Sequence, residues 1–382
     1  MLSIFKTFFA LGWISFGGPA AHIGYFRKAF VEKRHWLNDE EYAQLIALSQ
    51  FLPGPGSSQV GFALGYKRGG IWGAIMAFTG FTLPSVLIMI ILAVLSSQLM
   101  ETSFFQHLVH GLKLLAVVIV ADAAWAMYKS FCKTKLPIFI CLVTAISLLV
   151  MPGITTQMLT LIFAALVGVF YLCEGKTESQ VPFKPSMLPL LLFVLLFFGL
   201  PFIASSSPAV TLFSEFFNAG SLVFGGGHVV MPLLQNIVGD QLSQDAFITG
   251  YAAAQAVPGP MFTFATYIGY ELMPDTPIIG ALLATVGVFL PGFLLQLSVL
   301  KNWQQLASKR KIRGAMNGIN AAVVGLLLSA LYQPVFSSAV INGLDLSLVL
   351  IGFFLLKQLK LPIVGMVLFF VASGLMVPMI TG

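Results

Sequence analysis

Charged side chains are scarce in this sequence. Of its 382 residues, 9% are Asp, Glu, Lys or Arg and 58% are apolar, whereas a soluble globular domain carries roughly 25% charged residues. This composition excludes an ordinary soluble protein, because too few charges are available to cover a surface in water. Apolar stretches long enough to cross a bilayer recur along the chain, which predicts an all-α polytopic membrane protein.

Cysteine pairs and catalytic motifs are also lacking. Cys132, Cys141 and Cys173 form no CxxC pair and no metal-ligand spacing, so neither a disulfide framework nor a metal site is expected. The absence of HExxH, GxSxG and paired intramembrane carboxylates argues against an enzyme, and no cofactor is expected. The net charge of +6 does not indicate nucleic acid binding, because the basic residues cluster between apolar segments, where the positive-inside rule expects them.

The chain contains two copies of one sequence plan, which predicts two domains, 1–184 and 208–382, joined by a linker transmembrane helix at 185–207. A Phe-Phe, Phe-Gly-Gly and His pattern occurs in both copies, and a Gln-x-x-Pro-Gly-Pro motif follows it. The matched positions are Phe8, Phe9, Gly12, Phe16, Gly17, Gly18, His22, Gln50, Pro53, Gly54 and Pro55 with Phe216, Phe217, Gly220, Phe224, Gly225, Gly226, His228, Gln255, Pro258, Gly259 and Pro260.

Basic residues change sides between the two copies. Segment 24–41 contains four Lys or Arg residues, whereas its counterpart 229–246 contains none. Segment 97–110 contains none, whereas its counterpart contains Lys301, Lys309, Arg310, Lys311 and Arg313. Lys and Arg stay on the cytoplasmic side of a membrane. The halves are therefore predicted to be inverted-topology repeats, the design of a secondary transporter with alternating access.

The charges also predict the path through the cell inner (plasma) membrane. The N-terminus is cytoplasmic, segments 7–36 and 39–68 dip into the membrane and return, and four spans cross between Gly69 and Cys173. The linker helix crosses outward, and the second half repeats the path upside down and ends outside. A rival layout, in which the first two segments of each half span the membrane, would place Arg27 to Arg34 outside.

Matched interruptions of the helices predict where a solute binds. Residues 39–52 and 56–67 are each too short to span roughly 30 Å of hydrocarbon, and the prolines and glycines between them break the helix. The start of the second short helix places unpaired N–H groups and a positive dipole end at membrane depth, as in an anion site. The alternative is that the glycines only allow close helix contact. The predicted residues are Gly17, Gly18, Pro53, Gly54, Pro55, Gly56, Ser57, Ser58, Gly225, Gly226, Gly227, Gln255, Pro258, Gly259, Pro260 and Thr263.

Four ionisable residues lie near these interruptions or inside apolar spans. His22 and His228 follow the glycine breaks, where each would bond an oxyanion, carry a coupling proton or hold the structure. Asp122, within an apolar run, is either a proton carrier or a satisfied polar contact. Lys113 is the one basic residue off the cytoplasmic side, where it would attract an anion or extend to the interface.

The two-copy pattern resembles the chromate ion transporter family in its long, two-domain form. The resemblance rests on Phe-Gly-Gly followed by His in both halves and on the Gln-x-x-Pro-Gly-Pro motifs, and it covers nearly the whole chain. It implies chromate export, chromate resistance, sulfate as a structural analogue and antiparallel domains. It also implies that Gly17, Gly18, His22, Gln50, Pro53, Gly54, Pro55 and their copies line the pathway, although Gly227 stands where the first half has Pro19.

An oxyanion substrate also agrees with the scarcity of Lys and Arg inside the membrane. Backbone N–H groups at helix starts replace the hydration of an anion without burying fixed charges. Export driven by the membrane potential or a proton gradient is therefore the leading hypothesis. Uptake or exchange of sulfate or another tetrahedral oxyanion and a passive channel are the alternatives. The expected partners are the oxyanion and the lipid bilayer, and a homodimer is left open.

Overall fold

The computed structural model describes residues 1–16, 18–99, 102–173, 185–224, 229–302 and 309–381. All regular secondary structure in these ranges is helical, which confirms the prediction of an all-α polytopic membrane protein with two repeats. Five of the described helical segments are long and apolar enough to cross a bilayer, namely 56–96, 103–131, 187–206, 277–299 and 310–339. The chain is therefore a multi-pass membrane protein.

The first repeat begins with short helices and continues with longer ones. Its helices are α1 (Leu2–Ile14), α2 (Gly18–Phe26), α3 (Asp39–Phe51), α4 (Gly56–Leu99), α5 (Ser103–Phe131), α6 (Lys135–Val150) and α7 (Ile154–Tyr171), with a π-helix at Arg27–Lys33. Gly69 and Gly70 have non-helical backbone angles within α4. Its first part, 56–68, is therefore a short helix, and its second part, 71–99, is a span.

The second repeat follows the same plan after a connecting helix. Helix α8 (Met187–Ile203) lies at the periphery, since almost none of its residues is buried against the rest of the protein. The helices of the second repeat are α9 (Pro208–Leu222), α10 (Val230–Val238), α11 (Gln244–Ala256), α12 (Phe264–Leu272), α13 (Pro277–Val299), α14 (Arg310–Ala330), α15 (Gly343–Lys357) and α16 (Ile363–Thr381). By sequence match, α11 corresponds to α3, and α14, α15 and α16 correspond to α5, α6 and α7.

The two ends of segment 39–68 lie close together in the structure. Asn38 and Glu41 form a capping box at the start of α3. The ammonium of Lys67, near the end of the following short helix, lies 2.9 Å from the Glu41 carboxylate and holds the pKa of Glu41 below its usual value. Arg68 lies over the Trp36 ring, 5.5 Å from its centroid. Because its two ends meet, the segment forms a hairpin, and the re-entrant layout of this hairpin in the membrane stays a prediction.

Two polar side-chain contacts fix the relative direction of the repeats. His110 Nε2 lies 2.8 Å from Asp345 Oδ1, and Asp122 contacts Lys357. Both pairs join α5 to α15, and they lie twelve residues apart on each helix, about 18 Å along the axis. Helices α5 and α15 therefore run parallel. Consecutive spans run in opposite directions, so α6 is antiparallel to α5 and also to α15, its own counterpart. This geometry is the one that inverted repeats produce.

Each repeat packs its last helix on the long helix of the other repeat. Helix α7 lies against α14, and α16 lies against α5. A Cβ atom at Gly318 would lie 2.0 Å from the carbonyl oxygen of Ala164, and one at Gly111 would lie 2.1 Å from that of Phe370. Gly111 and Gly318 are equivalent positions, so this repeated glycine serves close helix packing.

Candidate functional site

The Pro-Gly-Pro loop of each repeat contacts the first helix break of the other repeat. The Gly54 N–H donates to the carbonyl oxygen of Val223 at 2.7 Å, and the Gly259 N–H donates to that of Ser15 at 2.8 Å. Gly54 matches Gly259, and Ser15 matches Val223, each standing directly before a Phe-Gly-Gly motif. These reciprocal bonds bring together four broken segments, two from each repeat. We call this region the crossing.

The central glycine of each Pro-Gly-Pro loop is required by its conformation and its surroundings. Gly54 has a φ of +116° and Gly259 a φ of +97°, in a region that side-chain-bearing residues rarely adopt. A Cβ at Gly54 would lie 3.0 Å from the Cα of Gly292, and one at Gly259 would lie 2.0 Å from the Ser85 hydroxyl. The loops therefore approach the opposite repeat more closely than another residue permits.

His22 is completely buried and connects three parts of the first repeat. Its Nε2 lies 3.1 Å from the carbonyl oxygen of Ser15, and its Nδ1 lies 3.0 Å from the Ser57 hydroxyl. A carbonyl only accepts, so Nε2 carries the proton, and in the neutral ring Nδ1 accepts from Ser57. The Phe81 ring packs edge-on against the imidazole. In this conformation His22 is a hydrogen-bonded connector, one of the three roles that the sequence left open.

Polar side chains extend the crossing between the repeats. Gln59 Nε2 donates to the carbonyl oxygens of Pro53 and Gly292, at 2.9 and 3.1 Å. Gln296 Nε2 donates to the Gln59 carbonyl oxygen at 2.9 Å, and the Ser85 hydroxyl donates to that of Pro258 at 2.6 Å. Three of these four bonds join one repeat to the other, so a movement of the repeats must change them.

Three buried hydroxyls at or near the crossing have no hydrogen-bond partner among the described residues. They belong to Ser15, Ser58 and Thr82. A buried polar group without a partner costs about 1–3 kcal/mol, so such groups mark a place where the protein has retained hydrogen-bonding capacity. Each hydroxyl is able to donate to an oxyanion. Ser58 also lies in the first turn of α4, where the backbone N–H groups lack helical partners.

The structure brings many of the predicted residues to the crossing. Gly18 begins α2, and the Thr263 hydroxyl bonds the carbonyl oxygen of Pro260 in its own loop. Those at the crossing or in the loops that form it are His22, Pro53, Gly54, Pro55, Gly56, Ser57, Ser58, Pro258, Gly259, Pro260 and Thr263. Gly17, Gly225, Gly226, Gly227 and His228 lie outside the described residues.

Equivalent faces of α3 and α11 differ in exposure. On α3 the exposed positions are Ala43, Ala47 and Gln50. Their counterparts on α11 are buried, namely Ile248, Ala252 and Gln255. Helix α11 packs against α5. The sequence predicts similar roles for Gln50 and Gln255, but the two amides lie in different surroundings because the two repeats adopt different arrangements.

Lys113 and Asp122 both form ion pairs with the second repeat. The largely buried Lys113 ammonium contacts Asp245 at the start of α11, and Asp122 contacts Lys357 at the end of α15. Asp122 thus lies beside a counter-charge, and its role as a proton carrier stays a prediction. Neither sequence-based hypothesis for Lys113 included its ion pair with Asp245.

Sequence reasoning missed four polar residues of this region. They are Ser15, Thr82, Ser85 and Gln296, and all four lie in otherwise apolar segments. Thr82 and Ser85 flank Pro84, and Gln296 follows Pro291 by five residues. A polar residue within a few positions of an intramembrane proline is the signal that would have found them.

Comparisons with known proteins agree with this two-repeat arrangement. A family model described as chromate transporter matches residues 2–169 and again residues 210–377. The chain is 29% identical to a chromate transport protein of Cupriavidus metallidurans over 341 residues, 85% of this chain and 80% of that one. It is 28% identical to a probable chromate transport protein of Synechococcus elongatus over 337 residues, with 85% and 82% covered. A chromate transport protein of Pseudomonas aeruginosa is 26% identical over 335 residues, with 85% and 78% covered. No solved structure matches.

Proposed function

This chain belongs to the chromate transporter family, and from that membership we propose that it is a secondary transporter that exports chromate from the cytoplasm. Export across the cell inner membrane would confer chromate resistance. We further propose that 1–184 and 208–382 are the two transport domains, that 185–207 is their linker, and that the N-terminus is cytoplasmic and the C-terminus outside. Relatives named for chromate transport support the substrate.

The observation that carries this proposal is the pair of reciprocal bonds at the crossing. Gly54 to Val223 and Gly259 to Ser15 join broken backbone from both repeats at one place. Irregular backbone at membrane depth is tolerated where protein or a water-filled cavity satisfies it, and helix starts there suit anionic solutes. The unpartnered hydroxyls of Ser15, Ser58 and Thr82 add donors for a tetrahedral oxyanion.

The unequal exposure of α3 and α11 supports a cytoplasm-facing state. The exposed face of α3 carries two small alanines and the amide of Gln50 rather than bulky apolar side chains, so it suits a water-accessible path. On the other side α11 is packed against α5 and joined to it by Lys113 and Asp245. In this proposal the Lys113–Asp245 ion pair closes the path to the outside. That path opens when α11 becomes exposed and α3 becomes packed.

The membrane potential favours the proposed direction. Moving one charge through 100 mV changes the free energy by about 2.3 kcal/mol, so a dianion leaving a negative interior gains about 4.6 kcal/mol per 100 mV. Asp122 is the proposed proton-coupling residue. Its ionised carboxylate holds the Lys357 ammonium, and its protonated form releases it.

Chromate flux into inside-out vesicles tests the function. We expect chromate to accumulate saturably in the lumen, which corresponds to the outside of the cell. A lumen-positive voltage is expected to increase this accumulation, because it attracts the anion. Voltage and pH gradient are imposed separately, and sulfate is added as competitor. Absence of chromate flux in either direction would reject the substrate. Sulfate flux without chromate flux would establish the alternative oxyanion, and flux linear in chromate without saturation would indicate a channel.

Replacing Asp122 with asparagine tests the coupling. We expect normal insertion and abundance but no response of chromate flux to an imposed pH gradient, because the amide binds no proton. Lys357→Gln is the matched control, since it also removes the ion pair but keeps the carboxylate. Asp122→Asn vesicles that respond to pH as the unaltered protein does would remove Asp122 from the mechanism.

A further inference from the structure

A groove between α1 and the π-helix lies at the cytoplasmic end of the first repeat. It encloses about 660 Å³. Ala10 and Ile14 contribute apolar, exposed surface along α1, and they form what we call the floor. Lys6, Lys33 and Arg34 line the same groove and form what we call the rim. An apolar floor beside three cations is the arrangement of an amphiphile site, since a small hydrated anion gains nothing from the floor.

The rim cations are not neutralised by the protein. Arg27, on the same π-helix, lies 2.5 Å from a Glu32 oxygen and 2.8 Å from an Asp39 oxygen, so its charge is matched. Lys6, Lys33 and Arg34 form no ion pair with any residue that the structure describes. Three cations therefore face one opening without a counter-charge.

The dimensions of the groove suit a lipid in the cytoplasmic leaflet. Lys6 and Ile14 are eight residues apart on α1, about 12 Å along its axis, most of one leaflet of a hydrocarbon core about 30 Å thick. A headgroup at Lys6 would thus place its acyl chain along the floor. Basic pockets between membrane helices on the cytoplasmic side bind anionic headgroups.

We infer that this groove is a binding site for an anionic phospholipid, whose phosphate contacts Lys6, Lys33 and Arg34 and whose acyl chain runs from Lys6 along Ala10 and Ile14. The lipid ties α1 to the π-helix, which connects α2 to α3. The site is separate from the crossing and does not depend on which solute is transported.

Phosphatidylglycerol binding to the purified full-length chain in detergent, measured by native mass spectrometry, tests the inference. We expect the triple variant Lys6→Gln, Lys33→Gln, Arg34→Gln to bind at least about tenfold more weakly, and Arg34→Gln alone about fivefold more weakly, because each cation near an anionic headgroup contributes. Lys28→Gln is the matched control, since Lys28 is an exposed cation of the same π-helix outside the groove. Phosphatidylcholine is expected to bind all variants alike.

Two outcomes would overturn the inference. The first is equal phosphatidylglycerol affinity in the rim variants and in Lys28→Gln. The second is that inorganic phosphate displaces phosphatidylglycerol at the unaltered groove, with the same dependence on the rim cations, which would make this a site for a small free anion. If the triple variant does not fold, Arg34→Gln against Lys28→Gln decides between the same outcomes.

Discussion

Replacing Gly259 with alanine is expected to lower chromate transport at least about tenfold. The added methyl group meets a backbone with a φ of +97° and the Ser85 hydroxyl at 2.0 Å, and the conformational strain alone costs about 1–3 kcal/mol. Relief requires Ser85 to rotate away and give up its bond to Pro258. Since about 1.4 kcal/mol corresponds to a factor of ten in rate, a tenfold loss is the lower bound. Initial flux per inserted molecule is the measurement.

Gly54→Ala is expected to reduce flux in the same way, because Gly54 occupies the equivalent loop with a φ of +116°. Gly199→Ala is the control, since Gly199 lies on the peripheral helix α8 with nothing within 4 Å of an added Cβ. Unaltered flux in both loop variants would show that the crossing has no part in transport, and reduced flux in Gly199→Ala would show that the effect is general.

Replacing His22 with alanine is expected to be nearly as damaging. The change removes the acceptor for the Ser57 hydroxyl and one donor to the Ser15 carbonyl oxygen, and each buried group left unpaired costs about 1–3 kcal/mol. The loss of the ring also removes the contact with Phe81. We expect at least about tenfold lower flux and a lower melting temperature of the purified protein.

His22→Gln separates a connecting role from proton transfer. Glutamine retains an N–H donor for the Ser15 carbonyl oxygen but binds no proton near neutral pH. A connector predicts that the Gln variant transports more than the Ala variant and keeps the response of flux to pH. Loss of that response in the Gln variant would assign the coupling proton to His22 and take it from Asp122.

Local features of this fold are readable from the sequence because short-range chemistry determines them. Asn38 caps α3, as the Asn-Asp-Glu-Glu run predicts, and Pro19 lies in the first turn of α2. The positions of the helix breaks follow from proline and glycine, and the inverted halves follow from the distribution of Lys and Arg.

Long-range pairing was beyond the sequence. Lys113 and Asp245 are 132 residues apart, and His110 and Asp345 are 235 residues apart. No local sequence pattern predicts contacts between residues so far apart. The contact of each Pro-Gly-Pro loop with the opposite repeat is of the same kind.

The unequal environments of Gln50 and Gln255 have a different cause. Two copies of one sequence plan predict two similar sites, yet a transporter at any instant places its halves in different arrangements. Gln50 is exposed and Gln255 is buried, and we propose that this difference reflects one such arrangement. A repeated motif therefore identifies equivalent residues but not how deeply each of them is buried.

Sidedness of single cysteines tests the inverted arrangement most directly. The three native cysteines are replaced by serine, and Lys28→Cys and Asp275→Cys are then made one at a time, both at exposed positions. An impermeant maleimide applied to intact cells is expected to label position 275, and to label position 28 only after the membrane is opened. Labelling of both positions from one side in intact cells would contradict the account.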